Sequence, residues 1–599
     1  MVIPLSYWKR SAVASIVACR GPAVDSPFRC TLGAWNTTRG WTSPVLPRPE
    51  AAGAWASRVL LLALALFTPS TVRAEPLPAS AEGCDLTLAE LEAAGLRIGE
   101  VRVDNLNIFD TAEPEEDKAL FRLMNNLHVL TRAKVIRRQL LFEPGAPLRR
   151  QQLEESERIL RGTPYLYDAQ VTVVRCTDGT ADVLVRTQDV WTLKPGFTLS
   201  RSGGESRVGF DLQEENFLGR GGSVRYLRRI DEERRSTEIG YSDRNLGGRW
   251  IAVDTTIADN SDGHVFELGL ERPFYSLDTR WAAGGRVLDE RRDDKVYALG
   301  DEIGSYRSDI EYLDLYAGWS QGLRDGWVRR WVAGVVFDRR RFGGVADSLA
   351  QGLVPEDRRL AYPYVEYQLL EDRYQRAENL DQIYRTEDVL LGAQVRLRLG
   401  MASSSLGSDR SAAVFSALAS RGYGDPGSML WEFATHAHGR YERDEFANLV
   451  FGGTARWYLR QSERRLLFAS LRADIGENLD LDNPIEIGGD DGLRGYPLRY
   501  QRGDSRAQFT IEQRYFTDYY LWRLFRVGGA VFFDAGRVWG ENPYGGERLG
   551  LLRDVGFGLR LASTRSSIGR MLHIDLAFPL DGDRSISSVQ FLVEGKRSF

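Results

Sequence analysis

The sequence predicts a mainly β protein in which a small α/β module precedes a large antiparallel β-barrel that spans a membrane. The chain of 599 residues has 60 glycines and 11% aromatic residues, which is typical of many strands joined by turns. Its longest apolar run, Val59–Phe67, is too short to cross a bilayer as a helix. Over about the last four hundred residues, short strands alternate charged and apolar side chains, as strands between a polar lumen and lipid do.

Composition excludes several other classes of protein. A content of 43% hydrophobic residues, with aromatic residues throughout, excludes disorder over most of the chain. The net charge of −5 gives no reason to expect a nucleic-acid partner. No metal-ligand spacing is present and the five histidines are scattered, so we expect no metal and no cofactor. The basic residues are nearly all arginine, which we interpret as genome composition rather than function.

The sequence also gives no reason to expect an enzyme. Residues 318–322, GWSQG, fit the G-x-S-x-G pattern of hydrolases. That pattern needs a strand, a sharp turn and then a helix, whereas the residues that follow read as a turn and another strand. No suitable histidine partner is evident, so we attribute the match to chance in a glycine-rich chain.

The N-terminal region reads as an export signal. Residues 58–74, RVLLLALALFTPSTVRA, place an arginine before a short apolar core and end in a small-x-small cleavage site. They predict a secretory signal peptide, and a mature chain that begins at Glu75. Residues 1–57 lack periodicity, and we expect an unstructured or misannotated leader there.

The cysteine pattern agrees with export. Cys19 and Cys30 precede the signal peptide, which leaves Cys84 and Cys176 in the mature chain. Two cysteines in an oxidising compartment could form a disulfide, and two unpaired thiols are the alternative.

Residues 96–194 predict a separate β-α-α-β-β domain, which a linker over 75–95 precedes. Val101 and Val103 alternate with polar residues in a first strand, and Thr131 is the expected N-cap of a first helix. A second helix is expected to end at Gly162. Two strands joined by an Asp178-Gly179 turn complete the domain.

This domain resembles a POTRA domain, the periplasmic module of the BamA/TamA and two-partner-secretion transporters. One such module is present, whereas the best-studied members of the family carry two or more. Its exposed strand edges could accept an extended polypeptide by β-augmentation, and a rigid spacer below the barrel is the alternative. The matching residues are Leu140, Leu141, Gly145, Leu153, Leu160 and Tyr165.

Residues 195–599 predict the barrel. In the segment 571–578, MLHIDLAF, His573 and Asp575 share one face and the apolar residues share the other. A soluble antiparallel sheet would show the same alternation, but the signal peptide, the number of strands and the chain end favour a membrane barrel. The terminal Phe599 closes an alternating strand, and this resembles the outer-membrane targeting signature.

Two segments resemble motifs of the BamA-like superfamily. Residues 487–497, IGGDDGLRGYP, are similar to the loop that folds back into the barrel of these proteins. Residues 531–539, VFFDAGRVW, match the Phe-x-Asp-x-Gly strand of the same family. Five strands can be counted after the loop motif, as the family has, and eleven to fifteen candidates before it; the resemblance implies sixteen strands in all. The matching residues are Arg494, Gly495 and Tyr496 in the loop, Phe532, Asp534 and Gly536 in the strand, and Glu512 as the acid that faces the lumen.

These residues predict that the loop is held to the inner wall. A guanidinium inside a lumen requires carboxylates, so we expect Arg494 to pair with Asp534 and Glu512. Gly495 would allow a tight turn, and Tyr496 would pack against the wall. The alternative is a solvated turn with an ordinary arginine. The acidic stretch 478–484, NLDLDNP, lacks a calcium-loop pattern, and we expect a solvated loop there.

The resemblance implies an outer-membrane barrel with its POTRA module in the periplasm, which assists insertion or translocation of polypeptides. The expected partners are outer-membrane lipid, unfolded outer-membrane or secreted polypeptides at the module's strand edge, and a periplasmic or inner-membrane accessory protein. The alternatives are a dedicated two-partner-secretion pore and, less favoured, a passive channel. The first would need a plug helix and a second module, for which residues 75–95 are too short.

Overall fold

The computed structural model describes residue 84 and residues 86–177, 179–202, 205–231, 233–344, 353–489, 491–566, 571–584 and 586–596. For residues 196–202 and 205–207 only the backbone is described. The predicted leader, the predicted signal peptide and Phe599 lie outside the described residues.

The N-terminal α/β module, residues 84–189, is a three-stranded sheet covered by helices. The strands lie in the order β1-β3-β2, with β1 parallel and β2 antiparallel to β3. The predicted strands and both predicted helices are present, the first helix in a shortened form, whereas two further helices were not predicted. The elements are α1 (Leu88–Ala93), β1 (Arg97–Leu106), α2 (Ala119–Leu127), α3 (Ala133–Arg137), α4 (Arg150–Arg161), β2 (Leu166–Thr177) and β3 (Thr180–Asp189).

The core of the module extends further toward the N-terminus than the sequence predicted. The linker expected over 75–95 is a helix in its last part, where Leu91 of α1 is buried in the core. Thr87 caps this helix in a capping box with Glu90. The module therefore begins before residue 96. Its core is formed by Leu91, Ile98, Val101, Ile136, Phe142, Leu148, Leu153, Leu160, Tyr165, Leu166, Ala169, Val171, Ala181, Val183 and Val185.

The predicted N-cap at Thr131 is wrong. Helix α3 begins at Ala133, and its N-cap, Arg132, makes no side-chain hydrogen bond to the helix. The Thr131 hydroxyl instead donates to the Asp189 carboxylate at 2.9 Å, and the Thr131 amide donates to the same carboxylate at 2.7 Å. A tertiary contact with the end of β3 has thus replaced the local cap, which the local pattern could not reveal.

The rest of the chain is one large antiparallel sheet with two small hairpins. Strands β14 and β15 pair with each other, as do β21 and β22, and the other strands form the large sheet. The strands are β4 (Leu193–Ser202), β5 (Glu205–Glu214), β6 (Ser223–Ile230), β7 (Arg235–Asp243), β8 (Ala252–Asn260), β9 (Gly263–Arg272), β10 (Trp281–Ala298), β11 (Asp301–Arg324), β12 (Trp327–Gly344), β13 (Arg358–Glu371), β14 (Tyr374–Ala377), β15 (Glu387–Leu390), β16 (Gln394–Ala402), β17 (Ala412–Asp425), β18 (Met429–Glu442), β19 (Glu445–Ser462), β20 (Arg465–Glu477), β21 (Ile485–Ile487), β22 (Gln501–Gly503), β23 (Ser505–Leu521), β24 (Phe525–Trp539), β25 (Leu552–Ser563), β26 (Met571–Pro579) and β27 (Gln590–Lys596).

The expected number of sixteen strands is wrong for the large sheet. In the described part of the chain the sheet has twenty strands, which follow one another in chain order once the two hairpins are left out, and β27 then pairs with β4. Five of them, β23 to β27, follow the 487–497 motif as expected, and fifteen precede it. Fifteen is the upper end of the count made from alternation, so the resemblance, rather than the strand pattern, led to the lower number.

The two edges of this sheet meet at a short seam. Among the described residues, one pair, Val593 with Arg201, joins β27 to β4. By contrast, β27 pairs with β26 along its whole length, from Gln590 with Ala577 to Lys596 with Met571. Within the described residues the seam therefore has far fewer backbone pairs than the ladders beside it.

The sheet has a polar inner face and an apolar outer face. In β23, Glu512 and Arg514 are buried on the inner face, whereas Phe509 and Tyr515 are exposed on the outer face. Large apolar side chains are exposed in the same alternation along most strands. No helix among the described residues is both long and apolar enough to cross a membrane.

The α/β module packs against the turns at one end of the sheet, which we call the module end. Asn216, between β5 and β6, donates to the Thr131 hydroxyl at 2.7 Å. Asn245, between β7 and β8, donates to the backbone carbonyl of Arg138 at 2.9 Å. The module is thereby fixed by side-chain hydrogen bonds from successive turns.

Candidate functional site

The connection between β20 and β23, residues 478–504, folds back against the inner face of the sheet, and we call it the lumenal loop. Its apolar residues Leu493 and Tyr496 are completely buried, in a cluster with Leu552 of β25. The loop thus brings the 487–497 motif to the wall formed by β23, β24 and β25. All the predicted motif residues of loop and wall meet here.

Arg494 is the centre of this contact. Its Nε and Nη2 atoms donate to the two carboxylate oxygens of Asp534 at 2.7 and 3.0 Å, and Nη1 donates to Glu512 at 2.8 Å. The guanidinium also lies over the Phe532 ring, 3.3 Å from the ring centre. With the residue only 7% exposed, these contacts occupy a site that bulk water does not reach.

The two carboxylates are held in place by further residues of the wall. Glu512 also accepts a hydrogen bond from Arg514 at 3.0 Å and lies 3.6 Å from Arg560. Asp534 accepts a hydrogen bond from the Thr510 hydroxyl at 2.8 Å. Because these partners belong to neighbouring strands of the wall, the acceptor site does not depend on Arg494 alone. It is therefore a preformed receptor for the loop arginine.

Gly495 is required for a reason other than the tight turn that the sequence suggested. Its φ is not in the left-handed region. A Cβ atom at this position would lie 2.6 Å from the Cβ of Asp554 and 3.2 Å from the backbone nitrogen of Pro579. The loop backbone therefore lies directly on the wall, and only glycine leaves enough space.

Tyr496 and Gly536 complete the fit between loop and wall. The Tyr496 hydroxyl donates to the backbone carbonyl of Arg553 at 2.7 Å and accepts from the Arg553 amide at 3.0 Å. A Cβ at Gly536 would lie 3.2 Å from both terminal methyl carbons of Leu493. The side chain of Tyr496 thus forms specific hydrogen bonds to β25, in addition to packing.

The expectation of a solvated loop over 478–484 is wrong. Asp480 receives two hydrogen bonds from Arg440 of β18, at 2.6 and 2.8 Å. Asp482 is 1% exposed and pairs with Arg358 of β13 and, at 3.4 Å, with Arg340 of β12. The lumenal loop is therefore ion paired to two separated parts of the inner wall. No local pattern could have indicated these pairs, because Arg340, Arg358 and Arg440 lie on three different strands.

The two cysteines of the predicted mature chain form a disulfide, with the Cα atoms of Cys84 and Cys176 5.6 Å apart. This bond ties the segment before α1 to β2. Among the described residues no group of three or more histidine, cysteine or acidic side chains could hold a metal ion. Ser320 of the GWSQG segment lies within β11, where its hydroxyl donates to the backbone carbonyl of Arg329.

Comparison with known proteins finds similarity in solved structures alone. No family model matches the chain, and no curated protein matches it. The chain is similar in structure to BamA from Haemophilus ducreyi lacking POTRA domains 1–3, at 13% identity over 84% of this chain and 85% of that one, with a TM-score of 0.39.

It is also similar to two CdiB structures. The match to CdiB from Acinetobacter baumannii has 11% identity over 83% of this chain and 74% of that one, with a TM-score of 0.42. The match to CdiB from Escherichia coli has 12% identity over 92% of this chain and 99% of that one, with a TM-score of 0.36. With TM-scores below 0.5, these likenesses do not establish a function, which has to be argued from the chain's own contacts.

Proposed function

We propose that this chain is an outer-membrane β-barrel of the BamA/TamA-like superfamily that assists insertion or translocation of polypeptides. The observation that carries the proposal is the lumenal loop, which Arg494 binds to a preformed pair of carboxylates on the inner wall. A passive channel needs no segment that crosses its interior and is ion paired on two sides. In a barrel whose wall opens, such a loop would stabilise the shape of the strands that stay paired.

The outer face and the seam support a place in the outer membrane. Exposed apolar side chains on the outside and charged ones inside are what a lipid-spanning barrel requires. The cyclic strand order allows closure, and the single described pair at Val593 and Arg201 makes β27 and β4 the place where the wall opens with the least loss of hydrogen bonds. An opened seam offers two strand edges to a polypeptide.

The α/β module supports the delivery of a client polypeptide. We propose that it is a single POTRA domain in the periplasm, since it packs on the module end of the sheet. In its sheet order β1-β3-β2 the outer edge of β1 is already hydrogen bonded to residues 145–148 around Ile98, whereas the outer edge of β2 has no strand partner among the described residues. An extended client segment, or a periplasmic or inner-membrane accessory protein, would add there as a further strand.

A second candidate is a dedicated export pore of the two-partner-secretion type. The inner face that is lined with charged side chains favours it, because a polar wall suits the passage of an unfolded chain through the lumen. Neither candidate requires covalent chemistry, cofactors or a nucleic-acid partner.

Depletion of the protein followed by outer-membrane and secreted-protein proteomics tests the proposal. Loss of many barrel proteins supports an assembly factor, and loss of one secreted protein supports the dedicated exporter. Unchanged amounts of all of them would refute both and leave a passive channel.

A seam lock makes the test specific to the mechanism. Cysteines at Val593 and Arg201 replace partners that face each other across the seam, where Cα atoms are close enough for a disulfide. We expect the oxidised variant to fail in complementation and to recover with a reductant. The matched control places cysteines at Val593 and Ile574, which pair within the unbroken β26–β27 ladder, and should complement under both conditions. Equal activity of both oxidised variants would contradict opening at the seam.

A further inference from the structure

The connection between β13 and β16, residues 372–393, is the longest described connection at the module end, and it folds into a hairpin of β14 and β15. We call it the lumenal hairpin. Its apolar residues Leu380, Ile383 and Leu391 are buried at 3% exposure or less. They pack in one cluster with inner-face residues of seven strands, which are Leu430, Tyr458, Leu466, Phe516, Ala530, Ala562 and Met571.

These wall residues explain why the hairpin lies inside. They have the same strand parity as Glu512 and Asp534, so they belong to the inner face, yet they are apolar or aromatic. An apolar patch on a polar inner face would be exposed to water if nothing covered it. The lumenal hairpin covers this patch at the module end of the lumen.

Polar contacts fix the hairpin to the same wall. Arg514 donates to the backbone carbonyl of Leu380 at 2.6 Å and to Asp381 at 3.0 Å. Arg460 donates to the carbonyl of Asn379 at 3.0 Å. The Tyr384 hydroxyl donates to Asp518 at 2.9 Å. The hairpin is thus held in one position by directed hydrogen bonds, in addition to apolar packing.

The tip of the hairpin has a structure of its own. The carboxylate of Glu387 accepts hydrogen bonds from the backbone amides of Leu380, Asp381 and Gln382, at 2.9 to 3.2 Å. The side-chain oxygen of Asn379 accepts from the Tyr384 amide at 2.7 Å. Because these bonds lie within the hairpin, it can leave the wall as a unit without losing its internal hydrogen bonds.

The α/β module binds the side of the hairpin that faces away from the wall. Arg161 of α4 donates two hydrogen bonds to Asp388, at 2.9 and 2.6 Å, and also pairs with Glu157 of its own helix. Arg376 of the hairpin pairs with Glu157 at 2.5 Å. The Tyr167 hydroxyl donates to the backbone carbonyl of Tyr384 at 3.0 Å. A movement of the module relative to the sheet would therefore strain or break these contacts with the hairpin.

The hairpin also contacts the site that holds the lumenal loop. Arg514, which binds Asp381, donates as well to Glu512, and Glu512 is a partner of Arg494. Module, hairpin, wall and lumenal loop are thus joined by consecutive ion pairs and hydrogen bonds.

We propose that the lumenal hairpin is a gate at the module end of the lumen, which the α/β module holds closed through the Arg161–Asp388 ion pair. When the module moves, as on binding a polypeptide, the hairpin leaves the apolar patch. The patch is then free to contact apolar segments of an entering chain. The gate would give the proposed function a regulated entrance. It rests on one part of that function, which is that polypeptides pass through the lumen.

A cysteine reporter under the hairpin tests the gate. Ala562→Cys places a thiol in the cluster that the hairpin covers, in a chain whose two mature cysteines are already bonded. We expect slow labelling by a membrane-impermeant maleimide in the parent protein. Labelling should be at least tenfold faster after Asp388→Asn, and fastest when residues 374–390 are replaced by a short Gly-Ser turn.

Matched controls exclude a general loosening of the protein. Glu378→Gln removes a carboxylate from the same hairpin, but its side chain is exposed, so labelling should stay at the parent rate. A cysteine at the exposed turn residue Glu463 should label equally in every variant. Retention of the heat-dependent electrophoretic shift of a folded barrel shows that each variant is folded.

Two outcomes would overturn the proposal. One is labelling of the hairpin-replaced variant at the parent rate, and the other is equal labelling of Asp388→Asn and Glu378→Gln. In planar bilayers the replaced variant should also open to a larger conductance than the parent. Since neither readout requires a client, failure of the gate is distinguishable from failure of the assembly or export function.

Discussion

Truncation of Arg494 to alanine should release the tip of the lumenal loop without unfolding the barrel. The change removes two hydrogen bonds to Asp534 and one to Glu512 from a site that is nearly closed to water. Breaking a buried ion pair by removing one partner costs about 3–5 kcal/mol. The lower end applies here, because Glu512 keeps Arg514 and Asp534 keeps Thr510.

A cost of about 3 kcal/mol raises the equilibrium constant for local opening by more than about a hundredfold, at 1.4 kcal/mol for each factor of ten. The base of the loop should stay attached, since Asp480 and Asp482 retain their arginine partners on the opposite wall. The variant is therefore expected to fold, to keep its heat-dependent electrophoretic shift, and to lose most of its activity.

Hydrogen exchange measures this opening directly. The amides of Gly489, Leu493 and Tyr496 form hydrogen bonds within the loop, at 2.9 to 3.1 Å, and should exchange at least a hundredfold faster in Arg494→Ala. Arg553→Ala is the control, since it removes an exposed arginine that pairs with Asp581, and exposed pairs contribute little. Exchange in Arg494→Ala that differs less than tenfold from this control, together with unchanged activity, would refute the role of Arg494.

Two further predictions concern other contacts. Gly495→Ala should destabilise the seated loop by about 1–3 kcal/mol through overpacking against Asp554, whereas Gly343→Ala, whose Cβ meets open space, should have no effect on exchange of the loop amides. Glu155, buried where α4 meets the amide of Leu277 at 2.9 Å, has its pKa raised to about 7 by burial. Because the folded state then binds the proton more tightly than the unfolded state does, stability should fall as pH rises from about 4.5 to about 7 and then level off. Denaturant unfolding of the full chain across this range should depend less on pH in Glu155→Gln than in the parent, because the variant loses this contribution while other titrating groups keep theirs.

The alternation of polar and apolar residues predicted much of the fold, because it depends only on residues that are close together in the sequence. Alternation on strands such as 571–578 depends on which face meets water, and a strand of the sheet is present there. The predicted strands and helices of the α/β module follow from apolar residues at strand and helical spacing, whereas two of its helices were not predicted. Five strands after the loop motif were found by the same criterion.

The contacts that were not predicted depend on residues far apart in sequence. Asp482 lies 124 residues from Arg358, and Arg161 lies 227 residues from Asp388. The lumenal hairpin was missed since its polar stretch between Arg376 and Glu387 has no strand or helix periodicity. Its burial comes from the apolar patch on other strands, which becomes visible only when their inner faces are assembled.

The excess of arginine over lysine is more than a matter of genome composition. Arg494 bridges Asp534 and Glu512, Arg514 bridges Glu512 and Asp381, and Arg161 bridges Glu157 and Asp388. Each joins two carboxylates on different elements, which a planar fork with several donors can do and a single ammonium point charge does poorly. Arg494→Lys should therefore keep the charge but lose one of the two acids, and its loop exchange should lie between that of the parent and that of Arg494→Ala. A lysine variant equal to the parent would show that charge alone holds the loop.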